Sequence, residues 1–258
     1  MPSETSFGEL TREALSELST DAIAVVPLGA TEQHGRQLPT ATDTMIATHL
    51  AERSVRLVAD EVKVVLCPAV PYGFSEHHVP FGGTISLDND TYIRTLTSIG
   101  RSLSRSGFKR LIFLNGHGGN VAPGSAAVDR LVTELGLDLA VGLLSYWDCI
   151  DETTRAAFPM PAPGHAGAFE AALVSALAAE LVRPLPQDGG GVVPDDATRP
   201  LNVSDQMKGT TRFPNMWQAS DGVTDVVAHP DPALGAELLD TVSTAIAAFI
   251  KQFDAATR

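Results

Sequence analysis

Residues 23–43 read IAVVPLGATEQHGRQLPTATD, an apolar run followed by a polar stretch. The apolar part, residues 23–28, predicts a buried β-strand, so Glu32, His34 and Asp43 follow the end of that strand. Residues two apart in an extended segment point to the same side, so the Glu32 carboxylate and the His34 imidazole can face one point. Asp43 precedes a predicted helix and can reach that point from another direction. This pattern predicts a metal site, and its alternative is a loop that ends in a capping aspartate.

The composition is that of a compact, acidic protein. The 258 residues are 44% hydrophobic and 19% charged, which predicts a single α/β domain over residues 1–258. A net charge of −13 disfavours nucleic acid and anionic membranes as partners. Cys67 and Cys149 are too few for a disulfide framework or a thiolate-rich zinc site. Because neither a signal-like N-terminus nor a run of about 20 apolar residues is recognised, the protein is expected to be cytoplasmic.

The rest of the chain alternates between predicted strands and helices. After a first helix with a capping box formed by Ser6 and Glu9, helices are predicted at 43–57, 89–106 and 123–135, and strands at 62–70, 110–115 and 137–146. Such alternation predicts a mostly parallel sheet with helices on both faces, a three-layer α/β fold. Residues 184–232 lack periodicity and are expected to cover an active site or form a subunit contact. A last amphipathic helix is predicted at 233–253.

Polar side chains follow the ends of several predicted strands. Ligands of parallel α/β sheets bind outside the carboxyl ends of the strands, so the sheet would gather these side chains at one edge. They are Glu32 and His34 after the first strand, Ser75 and His78 after the second, His117 after the third and Trp147 after the fourth.

Glu170 belongs to an Ala- and Leu-rich helix predicted to run to about residue 181. It is in line with Leu173 and Leu177 at helical spacing, which places its carboxylate on the apolar face. A buried carboxylate needs a cation, a strong donor or a raised pKa. Metal coordination satisfies it best, and the alternatives are a buried arginine partner or a rotated helix that exposes it.

The chain resembles the creatininase family of metal-dependent amidohydrolases in four motifs that occur in the family's order. They are Gly-Ala-Thr-Glu-Gln-His-Gly at 29–35, the later Asp43, Asn-Gly-His-Gly-Gly-Asn at 115–120 and Gly-His-Ala-Gly-x-x-Glu at 164–170. The resemblance covers about residues 25–181 and implies a creatininase-like fold. It also implies a sheet-edge site for two divalent ions, with Glu32 and His117 on one, His34 on the other and Asp43 between them.

The same resemblance implies the chemistry. Imidazole and carboxylate ligands suit zinc, manganese or iron, and a hydroxide that bridges the two ions would attack an amide carbonyl. His165 matches the family's catalytic histidine and would carry a proton to the leaving nitrogen. Creatininase itself has Tyr and a metal-binding Glu where this chain has Gly118 and Gly119. Glu170 is the expected replacement and would act as ligand, as base or as both.

The substrate side of the site differs from that of creatininase. Ser75 and His78 match the family's substrate loop, His77 is expected to be structural, and Trp147 is a candidate for the pocket wall. Creatininase has a tryptophan a few residues before the position of His165, where this chain has Met160 and Pro161. The expected substrate is therefore a non-peptide amide or a small cyclic or linear amide, other than creatinine, with peptidase or formamide deformylase activity as alternatives. Family resemblance implies a homohexamer.

Two interpretations from other classes compete with a hydrolase. In a phosphate- or nucleotide-binding module, residues 116–120 would present a helix N-terminus to an anion, but the Gly-Lys-Ser/Thr ending of a P-loop is missing. A catalytically inactive metal-binding partner protein would need the metal ligands but not His165. His49 and His229 are interpreted as surface or packing residues.

Overall fold

Four parallel strands form the sheet in the part of the chain that the computed structural model describes, which comprises residues 5–150, 164–185, 217–224, 227 and 231–258. The strand order is β2-β1-β3-β4, with β1 at Ile23–Leu28, β2 at Val64–Leu66, β3 at Arg110–Asn115 and β4 at Ala140–Ser145. The predicted parallel sheet is confirmed. β2 is shorter than predicted: it ends before Pro68, which has no N–H to donate to a neighbouring strand.

Helices cover both faces of the sheet, as the three-layer prediction requires. They are α1 at Arg12–Leu18, α2 at Thr42–Val58, α3 at Asn89–Arg105, α4 at Val121–Asp129, α5 at Ala168–Ala178 and α6 at Pro232–Thr257. Alternate residues of a strand point to opposite faces. Thus Val25 and Ile112 pack with α2, α5 and α6, whereas Val26 and Phe113 pack with α1, α3 and α4.

The predicted N-terminal capping box is wrong. Residues Phe7–Glu9 form a short 3-10 turn, and the Ser6 side chain makes no capping hydrogen bond. Instead α1 starts after Thr11, whose Oγ1 accepts a hydrogen bond from the Ala14 N–H at 3.3 Å. Thr and Ser are both good N-caps, and spacing alone did not distinguish them.

By length and composition alone, α6 is apolar enough to cross a membrane. The sequence predicts an amphipathic helix here, at 233–253. In the structure α6 packs against α2 and α5 and contributes Leu238, Val242, Ile246 and Ile250 to the core. Gly235 lets it approach closely, because a Cβ there would meet the Ala172 carbonyl oxygen.

A buried ion pair joins the end of α6 to the start of β3. Asp254 Oδ1 lies 2.6 Å from Arg110 Nη1, and each side chain is 8% exposed. Arg258 Nη2 lies 2.6 Å from Asp254 Oδ2. Burial by itself raises the pKa of the Asp254 carboxyl, but its hydrogen bonds with Arg258 and Arg110 hold that pKa below its ordinary value.

We expect Asp254→Asn to lower the free energy of unfolding at pH 7 by roughly 1.5–3 kcal/mol, the range for hydrogen bonds to charged groups. Since the folded-state pKa is depressed, the stabilisation is fully present above the ordinary aspartate pKa of about 4. It is lost as the pH falls through the folded-state pKa. Urea unfolding at several pH values measures this. Asp240→Asn, which breaks a more exposed pair with Arg53, is the control and should change stability by less than about 0.5 kcal/mol.

Candidate metal centre

The candidate site lies at the carboxyl edge of the sheet, between β1 and β3. The chain passes from β1 outward to β2 and then crosses back to β3, so this is the point where the strand order reverses and where open α/β sheets bind ligands. Glu32 and His34 follow β1, Asp43 lies in the first turn of α2 and His117 follows β3. The structure thus brings together the polar residues that the sequence placed at strand ends.

Asp43 stands between two halves of the site. Its Oδ1 lies 3.1 Å from His34 Nε2, and its Oδ2 lies 3.1 Å from His117 Nδ1. Glu32 Oε1 lies 3.3 Å from His117 Nδ1 on one side, and Glu170 Oε1 lies 3.7 Å from His34 Nε2 on the other. One Asp43 oxygen therefore faces each half of the site, which is the arrangement expected of an aspartate that could bind two cations.

The two histidines of the centre are oriented by main-chain carbonyl groups. His34 Nδ1 lies 3.2 Å from the carbonyl oxygen of Glu32, and His117 Nε2 lies 3.0 Å from that of Phe74. Each imidazole can therefore donate one N–H to a carbonyl and direct its other nitrogen at the carboxylates. Metal-binding histidines in proteins usually have this arrangement.

Several oxygens of the centre lack hydrogen-bond partners. Both carboxylate oxygens of Glu32 and Oδ2 of Asp43 are buried without one. Burying charged oxygens in this state is costly, and divalent cations would satisfy them. His34, Asp43 and Glu170 bring ligand atoms within 4.8 Å of one another, as do Glu32, His117 and His77. The site thus fits two divalent ions, and its nitrogen and oxygen donors suit zinc, manganese or iron.

The carboxylates of the centre strongly shift the pKa values of its two histidines. Burial by itself lowers the pKa of His34, but Asp43 and Glu170 outweigh burial and raise that pKa well above its usual range. The pKa of His117 is likewise raised by Glu32 and Asp43 against the effect of burial. Because the carboxylates favour the protonated imidazoles, metal binding at His34 and His117 would compete with protons and depend on pH.

Glu170 is buried, with 4% of its surface exposed. Its Oε2 accepts a hydrogen bond from the Ala166 N–H at 2.7 Å, and Oε1 faces His34. Burial raises the pKa of the Glu170 carboxyl, and His34 opposes this rise. The helix is therefore not rotated to expose the carboxylate, and no arginine pairs with it among the described residues. A main-chain donor and a raised pKa both help to accommodate the buried carboxylate, and metal coordination by Glu170 stays a prediction.

We expect Glu170→Gln to reduce metal content from about two ions per chain to about one. The change removes a charged ligand beside His34, whereas Glu32 and His117 remain. Elemental analysis of tag-free protein measures this. Glu180→Gln, a change of an exposed side chain just beyond α5, is the control and should keep the wild-type content. Full metal content in Glu170→Gln would show that Glu170 is not a ligand.

His165 and His78 stack beside the carboxylate centre, with ring centroids 4.0 Å apart. His165 Nδ1 lies 3.4 Å from Glu32 Oε1, and His78 Nε2 lies 3.5 Å from the same oxygen. Burial, together with the neighbouring His34, lowers the pKa of His165 well below its usual range. Burial and the adjacent His77 lower the pKa of His78 to about 2. Both imidazoles are therefore neutral near pH 7.

The loop of residues 75–78, predicted to contact substrate, has a different backbone conformation from the one predicted. Residues 76–78 form a turn rather than an extended segment, and His77 and His78 both line the cavity. That His77 is structural and His78 functional therefore stays a prediction. The Ser75 hydroxyl is fully buried and lies 3.2 Å from His117 Nε2. Ser75 therefore contacts a candidate ligand, and its predicted contact with substrate stays a prediction.

A cavity of about 550 Å³ opens above the carboxylates. Trp147 lines it, as predicted, together with Phe74, Tyr146 and Trp217. None of its described lining residues is Lys or Arg. Trp217 belongs to the segment 184–232, whose sequence lacks periodicity and in which only its size marked it. Met160, Pro161 and His229 lie outside the described residues.

The surroundings of residues 116–120 disfavour a bound anion. The Asn120 amide donates to the Gly29 carbonyl at 3.0 Å and accepts from the Phe74 N–H at 3.0 Å, which ties this loop to two others. Gly119 packs so tightly that a Cβ would meet the Phe74 carbonyl oxygen. The carboxylates of Glu32 and Asp43 beside His117 would also repel a phosphate.

The fold and this donor set define an α/β protein with a candidate binuclear metal centre. The sequence profile of the creatininase family, described as creatinine amidohydrolase, matches residues 8–250. The chain therefore belongs to the creatininase family of metal-dependent amidohydrolases, as its motifs predicted.

Several relatives and solved structures are similar to the chain. The mycofactocin precursor peptide peptidase of Mycobacterium tuberculosis is 42% identical over 134 residues, which are 49% of this chain and 53% of the relative. The match thus spans about half the length of that relative. The creatinine amidohydrolase of Pseudomonas putida is 32% identical over 199 residues, covering 70% of this chain and 75% of the relative. A crystal structure of creatininase aligns with a TM-score of 0.77 at 26% identity, covering 96% of this chain and 97% of that one.

Metal-bearing forms of creatininase share the fold. A mutant creatininase of Zn–Zn type aligns with a TM-score of 0.75 at 26% identity, covering 96% of this chain and 97% of that one. A manganese creatininase aligns with a TM-score of 0.76 at 25% identity, covering 96% of this chain and 98% of that one.

Proposed function

We propose that this protein is a binuclear metal-dependent hydrolase that cleaves the C–N bond of an amide. The observation that carries the proposal is the position of Asp43, whose two oxygens face His34 and His117 in a buried site. Glu32 and His117 would hold one divalent ion, His34 and Glu170 the other, and Asp43 both. Zinc and manganese are the candidates that the related structures support.

Two such ions would activate water as a nucleophile and polarise the scissile carbonyl group. The chain's own residues position the substrate and move the proton. His165 is neutral, and its Nδ1 faces the centre beside Glu32, so it can accept a proton there and deliver it to the leaving nitrogen. His78 directs Nε2 toward the same Glu32 oxygen and so orients that carboxylate.

The cavity favours an uncharged amide with an apolar or aromatic neighbouring group. Its wall includes Phe74, Trp147 and Trp217, and its described lining has neither Lys nor Arg to pair with an anionic substrate. A short peptide is the first substrate class that we propose, because the peptide-cleaving relative is 42% identical and the cavity volume of about 550 Å³ accommodates more than one small ring. Small cyclic amides and formamides form the second class.

The proposal is tested by metal analysis followed by a substrate screen. Protein purified without a histidine tag should contain about two divalent ions per chain. It should hydrolyse short apolar peptides more efficiently than formamides, lactams or creatinine, and a chelator should abolish this activity. Failure to bind zinc or manganese would remove the metal centre. Metal binding without any hydrolysis would favour the inactive metal-binding partner.

The proposal also includes the oligomeric state and the cellular location of the protein. We propose a homohexamer by analogy with the family, and light scattering that shows a stable monomer would contradict it. A cytoplasmic location is consistent with Cys67 and Cys149, which are both free thiols, as in reducing compartments. Neither nucleic acid nor an anionic membrane suits the net charge of −13.

A further inference from the structure

Gln33 lies between the candidate metal ligands Glu32 and His34 in the sequence, and its side chain is buried, with 8% of the residue exposed. Its main-chain N–H donates to Thr84 Oγ1 at 3.0 Å. Its side-chain Oε1 accepts a hydrogen bond from the Gly35 N–H at 2.9 Å. Since only the amide oxygen can accept this bond, the NH2 group must point the other way, toward the histidines. The orientation of the Gln33 amide is thereby determined.

The Gln33 NH2 group has two hydrogens and two acceptors within reach. One acceptor is the Gly222 carbonyl oxygen at 2.9 Å, and the other is His78 Nδ1 at 2.8 Å. His78 Nδ1 must therefore carry a lone pair, so the ring's single N–H proton lies on Nε2. That proton is directed at Glu32 Oε1, 3.5 Å away.

The main chain of Gln33 determines the tautomer of the second histidine, His165. Its carbonyl oxygen lies 2.8 Å from His165 Nε2, so that nitrogen must donate and carries the ring proton. The Gln33 NH2 group is 3.1 Å from the same nitrogen, but both of its hydrogens are already used. His165 Nδ1 is left with a lone pair that faces the centre, 3.4 Å from Glu32 Oε1.

Gln33 also holds the segment that carries Trp217. Gly222 has a φ of +78°, and a Cβ there would come within 2.5 Å of Gln33 Nε2, so a glycine is required for this contact. Thr224 exchanges two hydrogen bonds with the main chain of His165, at 2.9 and 3.1 Å. The side chain that orients the histidines is thus bonded to the segment that forms one wall of the cavity.

We propose that Gln33 is a positioning residue that holds His165 and His78 each in a single tautomer, with the proton on Nε2, and anchors the Trp217–Thr224 segment over the site. The lone pair on His165 Nδ1 is what a proton acceptor at this position needs. The expected kinetic effect rests on the proposed hydrolase function, whereas the tautomers do not.

The direct test is 15N NMR of the histidine rings in zinc-loaded protein, because protonated and unprotonated ring nitrogens have distinct chemical shifts. In the wild type, both His78 and His165 should be protonated at Nε2 only. In Gln33→Glu, a carboxylate oxygen replaces the NH2 group, so His78 should gain a proton on Nδ1. In Gln33→Met, which keeps the length but cannot donate, the His78 tautomers should mix.

Both variants should retain about two ions per chain, with kcat lowered roughly 10- to 100-fold, the usual effect of losing a group that orients site histidines. Gln37→Met is the matched control: Gln37 lies in the same loop and is 3% exposed, and it takes no part in the hydrogen bonds described for the two histidines. It should leave tautomers and kcat unchanged.

A proton on Nδ1 of His78 or His165 in the wild type would overturn the proposal, and this outcome does not depend on whether the variants fold. Unchanged tautomers in Gln33→Glu, or shifted tautomers with unchanged kcat, would also overturn it. If the tautomers are as expected and no amide is hydrolysed, the proposed function fails while the structural role of Gln33 stands.

Discussion

Asp43→Asn should lose both metal ions and lower turnover on the order of 10³-fold or more. Asp43 is the only described side chain with one oxygen 3.1 Å from His34 and the other 3.1 Å from His117, so its charge serves both halves of the centre. A catalytic cation stabilises a transition state by several kcal/mol, and about 4 kcal/mol corresponds to that loss of rate. Elemental analysis and turnover of one preparation measure both effects.

The same experiment has an internal stability control. A ligand that binds only the folded state raises its melting temperature, so a chelator should lower the melting temperature of the wild type but not that of Asp43→Asn. Asp88→Asn, a change at the exposed N-cap of α3, should keep full metal content. If Asp43→Asn retained one ion, Asp43 would belong to one half of the centre only.

His165→Ala should keep about two ions per chain and lower turnover on the order of 10²-fold or more, the usual contribution of a general acid or base. The His165 ring is neutral and donates Nε2–H to the Gln33 carbonyl, which leaves Nδ1 to accept a proton at the centre. Metal content and kcat are measured together. His49→Ala, a change on α2 outside the cavity, is the matched control and should change neither.

The alternative role for His165 is that of a metal ligand. A histidine that donates one N–H to a carbonyl and directs the other nitrogen at a carboxylate can also be a metal ligand. Glu32, His34 and His165 bring ligand atoms within 4.8 Å of one another. Loss of one ion in His165→Ala would therefore identify His165 as a ligand and remove it from proton transfer. Unchanged turnover would exclude both roles.

The order of strands and helices could be predicted because it depends on local pattern. The predicted strands at 23–28 and 110–115 have the same bounds as β1 and β3, since both are buried along their whole length and their central residues are apolar. Predictions were less accurate where local signals compete. Thr11 rather than Ser6 caps α1, and Pro68 shortens β2.

The candidate ligands were recognisable because their types and spacing carry the chemistry. Glu32 and His34 are two residues apart beyond a strand. Glu170 lies on an otherwise apolar helix face, where a buried carboxylate needs a partner. The residues that support them carried no such signal. Gln33 is an ordinary polar residue in a loop, and its contacts with Gly222 and His165 join positions more than 130 residues apart.

The sequence by itself determined the layered α/β fold, the family and the candidate metal-binding residues, because burial periodicity and ligand chemistry are properties of short segments. Only the tertiary structure decided how those ligands pair across Asp43, that His77 faces the cavity, and which nitrogen of His78 and His165 bears the proton. These features depend on distances between loops of different strands, and no local pattern specifies a distance between residues that the chain itself keeps far apart.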